Sequence, residues 1–176
     1  MYIDSKKAQE QAVLNLAYSI CAAARTAPKA RGADYIDTAI LTGEDKQKLA
    51  DEMRRLSEEF SMPFFARDAG NVEKSDVVVL VGTRRETRGL DKACTLCGFS
   101  GCEECSAKGA VCAFTGIDLG IAIGSAVAMA SDNRVDNRVM YTIGKAAETL
   151  GLLSECEIIM GIPLSASAKS PYFDRG

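Results

Sequence analysis

The sequence predicts an α+β domain, a mixed sheet flanked by helices with a cysteine-rich loop set into it. Three observations carry that expectation. Amphipathic segments and short apolar runs follow one another as helix, strand, helix, strand, then a cysteine loop, two helices and a strand. Five of the seven cysteines crowd into residues 94–112. At 176 residues, with 47% apolar and 26% charged side chains, the chain has the length and composition of one globular domain. The expected boundaries are a single domain over 1–176, with the cysteine loop at 90–113 inside it.

Each element has its own signal. Val13, Leu16, Ala17, Ile20 and Ala24 recur at helical spacing, which predicts a helix over 6–26 ended by Pro28. YIDTAIL at 35–41 reads as a strand. Residues 44–60 read as an amphipathic helix with Leu49, Met53, Leu56 and Phe60 on one face and a solvated charged face opposite. DVVVLV at 76–81 is a continuous apolar run, the mark of a strand buried on both sides. Arg84, Arg85 and Arg88 follow and read first as a solvated loop; the alternatives are that they offset a cluster's charge or meet a phosphate.

Beyond the cysteines, TGIDLGIAIGSAVAMA reads as a helix, with Thr115 and Asp118 at capping-box spacing. Gly116, Gly120 and Gly124 recur every four residues and make a smooth ridge, against which a second helix or a flat cofactor packs closely. Each glycine costs about 1 kcal/mol of helix stability relative to alanine. The tetrapeptide DNRV occurs twice, at 132–135 and 136–139. Asp132 or Asp136 is the expected N-cap of a helix through Tyr141, Ile143, Ala147 and Leu150 that Gly151 ends. Arg134 and Arg138, four apart, suit either a bidentate clamp on a phosphate or carboxylate or surface ion pairs. Residues 158–162 read as the last strand, and SASAKSPYFDRG as an irregular tail.

Composition excludes several functions. Histidine is absent, so Ser-His-Asp and Cys-His catalysis and Cys₂His₂ zinc sites are ruled out. The net charge of −3, with its acidic excess wholly in residues 91–176, gives no reason to expect a nucleic-acid partner. No GxGxxG or P-loop is present. The longest uncharged apolar helical stretch, 119–130, is shorter than the ~20 residues of a membrane span. The N-terminus lacks a signal-peptide core. A cytoplasmic protein is expected, where thiols stay reduced.

Cys21 and Cys156 stand alone in apolar segments and read as buried. Cys94, Cys97, Cys102, Cys105 and Cys112 need another explanation, because crowded thiolates repel unless a cation stabilises them. Only four residues separate Cys97 from Cys102, too few for two independent zinc knuckles. An iron–sulfur cluster suits a compact loop, and Gly98 and Gly101 let the backbone fold tightly.

The text CTLCGFSGC resembles the CxxCGxxxC signature of 4Fe-4S modules in the Rnf complex subunit and in corrinoid iron–sulfur proteins. That resemblance implies Cys94, Cys97 and Cys102 as three ligands, Cys112 as the fourth, and Cys105 in reserve. AARTAPKARGADYIDTAILTGEDKQKLA, IDLGIAIGSAVAMA and IIMGIPLS resemble segments of the FMN-dependent nitroreductase superfamily, in the same order. The family's N-terminal arginine element is absent, and Arg31-Gly32 stand where it has asparagine. With DNRVMY, the cysteine loop and DLGIAIGSA resemble a family of small prokaryotic ferredoxin-domain proteins over nearly the whole chain. The resemblance to nitroreductases implies that any FMN would place its phosphate at Lys169 or Arg175 and its ring near Pro163 and the ridge at Gly120 and Gly124. It also implies a homodimer.

The expected function is an iron–sulfur redox protein that passes electrons through a 4Fe-4S cluster, with or without a flavin, to a small substrate or a partner protein. The alternatives are a zinc-stabilised module without redox chemistry and a pure electron carrier. Asp118, Asp136 and Tyr141 are the titratable candidates for proton transfer, with capping or packing as their other reading.

Overall fold

The computed structural model describes residues 1–173. Helix α1 (Ser5–Thr26) starts at Asp4, whose carboxylate accepts the Lys7 N–H at 2.9 Å. Lys29 folds back onto its last turn and donates to the Ala24 carbonyl at 2.8 Å. Strand β1 (Ile36–Leu41) and helix α2 (Gly43–Glu59) follow as expected.

Helix α3 (Pro63–Glu73) was not foreseen. Pro63 sits in its first turn, and Phe65, Ala69 and Val72 line its buried face. This helix decides the sheet. One helix between two strands gives a parallel crossover, whereas the pair α2–α3 turns the chain back once more. Strand β2 (Val77–Arg84) therefore runs antiparallel to β1. With β3 (Asp136–Asn137) and β4 (Cys156–Ser165), the described strands lie in the order β1-β2-β4-β3, all antiparallel rather than mixed.

β2 is central and feeds two cores. Val77, Val79 and Val81 face α1 and α5 (Ala113–Asp132), while Val78 and Leu80 face α2, α3 and α6 (Tyr141–Thr149). That alternation makes three layers, with helices on both faces of the sheet. β4 (Cys156–Ser165) begins earlier and ends later than expected.

Two caps move. α6 starts after Met140, while Asp132 ends α5 and Asp136 lies in the two-residue strand β3 (Asp136–Asn137). α5 begins after Cys112, so Thr115 is inside the helix rather than its cap. The helix is 20 residues long, longer than the uncharged apolar stretch 119–130 within it, and apolar enough to cross a bilayer by length and composition. Leu119, Ala122, Ala126 and Ala130 pack into the core.

α6 approaches β4 through Gly144. A Cβ there would collide with the Ile159 carbonyl oxygen, and one at Gly161 would collide with Ile143. Backbone blocks relaxation at Gly144. Gly144→Ala is expected to destabilise the fold by about 3 kcal/mol through overpacking, measured as a drop in the urea midpoint.

Candidate functional site: the cysteine loop

The loop leaves the sheet where the β2–β4 register shifts between Thr83 and Arg84. Arginines fasten both its ends. Arg85 donates to the Gly109 carbonyl at 3.1 Å and pairs with Glu157 on β4. Arg88 was read as solvated, but only 3% of it is exposed. Its Nε donates to Asp118 Oδ2 at 2.7 Å, and its guanidinium lies 4.8 Å from the Tyr35 ring centre. The other Asp118 oxygen accepts the Ala30 N–H at 3.0 Å. Arg31 takes left-handed backbone (φ 58°) before Gly32 (φ 67°). Its Nη1 donates to the carbonyls of Arg88 at 3.0 Å and Gly89 at 2.9 Å. The start of the loop is thus tied to the turn after α1 and to the second turn of α5. Arg84 is also paired, through two bonds of 2.7 and 2.9 Å to Asp37, and these hold the Asp37 carboxyl below its ordinary range.

Inside the loop, Gly98 turns at φ 82°. A Cβ at Gly101 would run into Asp91 Oδ1, so glycine allows that close approach. Helix α4 (Cys102–Ala107) follows, which puts Cys102 and Cys105 three apart on one face. The Asp91 N–H donates to Cys102 Sγ at 3.2 Å. Ser100 donates its N–H at 2.9 Å and its hydroxyl at 2.6 Å to Glu104, lowering that carboxyl's pKa.

Cys105 is the innermost thiol, 1% exposed. Burial pushes its pKa up, and the neighbouring Cys97, Cys112 and Cys102 push it further. Cys112, 7% exposed, caps α5, and its carbonyl accepts the Thr115 N–H at 2.9 Å. Cys94 is half-buried and follows the turn Asp91–Ala93. Among the described residues, no three histidine, cysteine or acidic side chains are gathered tightly enough for a single ion. Cys97, Cys102 and Cys112 each act on Cys105, and thiolates are the donors an iron–sulfur cluster takes.

The two outlying cysteines behave differently. Burial raises the pKa of Cys21. Burial and then the Asp37 carboxylate raise Cys156 to about 11. Both stay protonated thiols at neutral pH.

The other sequence candidates are dispersed. Gly120 and Gly124 lie on the exposed side of α5, with open space where a Cβ would stand. Pro163 is buried in β4. Arg134 sits exposed in a left-handed turn (φ 60°), so it and Arg138 share no helix face. Arg138 donates to the Tyr172 carbonyl at 3.1 Å and lies over the Phe173 ring. Lys169 is exposed in the tail, and Arg175 lies outside the described residues. Asp118 is committed to Arg88, Asp136 belongs to β3, and the Tyr141 ring meets Phe65 edge-on. Sequence reasoning missed Arg31 as a loop anchor; its only signal was the Arg-Gly pair after Pro28.

The family model described as "Uncharacterized protein containing a ferredoxin domain (DUF2148)" matches residues 108–175, which hold Cys112, α5, α6 and β4. An uncharacterized protein of Archaeoglobus fulgidus is 39% identical over 183 residues, covering 99% of this chain and 98% of the relative. Among solved structures, a nitroreductase family protein from Clostridium novyi aligns with a TM-score of 0.59 at 14% identity, over 94% of this chain and 76% of that one. A nitroreductase of Desulfovibrio desulfuricans, described as a putative one in complex with FMN, aligns at 0.57 and 13% identity, over 97% and 78%. These two show the fold. With a relative alike over its whole length, the chain belongs to the family of proteins containing a ferredoxin domain, and it carries that domain on a nitroreductase-like α+β fold.

Proposed function

We propose that the loop at 90–113 holds a 4Fe-4S cluster and that the protein, a single domain, passes single electrons to a redox partner protein or a small-molecule substrate. The observation that carries this reading is the burial of Cys105 within electrostatic reach of Cys97, Cys102 and Cys112. We infer those four as the ligands. Cys105 replaces Cys94, which the CxxCGxxxC resemblance favours. A bound cluster supplies one-electron transfer. The chain's own residues prepare the place for it. The N-terminus of the 20-residue helix α5 directs its positive end at the loop. Arg31, with no carboxylate partner among the described residues, adds a positive charge at the loop's edge.

A flavin is not part of the proposed reaction. The solved nitroreductase from Desulfovibrio desulfuricans is described in complex with FMN. Here Arg138 donates to the Tyr172 carbonyl in the tail, Pro163 is buried, and the ridge at Gly120 and Gly124 is exposed.

Anaerobic purification followed by iron, zinc and sulfide assays tests the reading. About four iron and four sulfide per chain, with a broad absorbance near 400 nm that dithionite bleaches, is the expected result. One zinc without sulfide overturns it and leaves a structural module. Flavin bands near 370 and 450 nm would restore FMN to the reaction.

We further propose a cytoplasmic homodimer without nucleic-acid or membrane partners. The exposed side of α5 carries a row of glycines, Gly116, Gly120 and Gly124, beside Ile117 (43% exposed) and Ile121 (41% exposed). One helix thus offers both a groove and the knobs to fill it, which suits a two-fold contact with a second copy. Light scattering is expected to give twice 18.8 kDa, and Ile121→Glu is expected to return the single-chain mass.

A further inference from the structure

Among the described residues three buried side-chain oxygens, on Thr83, Thr115 and Ser170, have no hydrogen-bond partner, and Thr115 is the one on the helix that leaves the cysteine loop. It is wholly buried, and its Oγ1 has no hydrogen-bond partner. A helical threonine ordinarily escapes that cost by donating to the carbonyl three or four residues back. Thr115 does not. An unpaired buried hydroxyl is destabilising, so its presence calls for a partner that is part of the working protein.

Its position names the partner. Thr115 is three residues beyond Cys112, the N-cap of α5, so the two share one side of the first turn. Side chains on a helix lean toward its N-terminus, which brings the Thr115 side chain over the Cys112 end. Cys112 is one of the groups acting on Cys105. The orphaned hydroxyl therefore lies on the thiol side of the helix, at its positive end.

We infer that Thr115 donates its hydroxyl hydrogen to a sulfur of the bound iron–sulfur cluster, either Cys112 Sγ or a bridging sulfide, and so raises the cluster's reduction potential. The inference rests on the cluster reading above. A hydrogen bond to sulfur stabilises the more negative, reduced state, and this is one of the levers that set such potentials. Thr115 is a positioning and tuning residue, not a catalytic one.

Valine keeps the shape of threonine and removes the hydroxyl, whereas serine keeps the hydroxyl. The two states of the protein then respond with opposite signs. In the metal-free chain, Thr115→Val removes an unsatisfied group and is expected to raise the melting temperature. In the loaded chain, it is expected to shift the potential negative, changing the oxidised-to-reduced ratio at fixed potential about tenfold, which is 59 mV for one electron. Thr115→Ser is expected to keep the wild-type potential.

Spectroelectrochemical titration of the three anaerobically loaded proteins, with thermal melts of their metal-free forms, decides it. Equal potentials in wild type and Thr115→Val overturn the inference and leave the cluster reading intact. A wild-type chain that binds no iron and sulfide overturns both. If Thr115→Val fails to hold the cluster, retention in Thr115→Ser supports the hydroxyl donor, and loss in both variants overturns it.

Discussion

Cys105→Ser is expected to lose nearly all its iron and sulfide, while Cys94→Ser keeps both at close to wild-type levels. The difference follows from where the two thiols lie. Cys105 is enclosed by the body of the loop and feels Cys97, Cys102 and Cys112. Cys94 sits just after the turn Asp91–Ala93 and is only half-buried, outside the short helix that carries Cys105 inward. A cluster needs ligands converging on one volume, and serine is a poor replacement for a soft thiolate. Iron and sulfide assays on the two variants, loaded in parallel, measure the difference. The reverse result, loss in Cys94→Ser and retention in Cys105→Ser, would return the ligand set to Cys94, Cys97, Cys102 and Cys112.

Arg88→Met is expected to destabilise the protein by about 3–5 kcal/mol, because it strands the Asp118 carboxylate in the interior. Both side chains of that pair are 1% exposed. For a chain of this length, that corresponds to a fall of roughly 10 °C in Tm. Asp118→Asn is expected to act in the same direction, since it leaves the guanidinium uncompensated. The double variant Arg88→Met with Asp118→Leu is expected to recover most of the loss, keeping only the cost of the freed Ala30 N–H, about 1 kcal/mol. Thermal melts of the two single variants and the double variant give the coupling directly. Additive losses would show that the pair is not a unit. The consequence reaches the site, because Arg88 joins the strand that enters the cysteine loop to the helix that leaves it.

These two predictions differ in how far the sequence alone leads to them. The cysteine loop is legible because its spacing is local: five thiols within nineteen residues need a shared partner wherever the loop sits. Choosing Cys105 over Cys94 is not legible. It depends on a six-residue helix that turns Cys102 and Cys105 onto one face and carries Cys105 inward. The Arg88–Asp118 pair is less legible still. The two residues are 30 apart, and nothing in the charge pattern distinguishes Arg88 from Arg84 or Arg85, which stay near the surface.

The α+β class, the central strand and most helices are legible in the residue pattern. Those follow from periodicity and from continuous apolar runs such as DVVVLV, which report burial through neighbours in the chain. The sequence also placed five thiols in one loop. Tertiary structure alone decided the strand directions, the burial of Arg88 and the unpaired hydroxyl of Thr115. The short helix α3 reverses the chain between β1 and β2, and that reversal sets which distant residues meet. It decided too that the glycine ridge of α5 faces outward. A stripe of small residues states that something can approach closely, but only the packing of α1 against the opposite side leaves that stripe open. Local spacing encodes local structure and local chemistry; a buried charge pair between residues far apart in the chain exists only once the layers have closed around it.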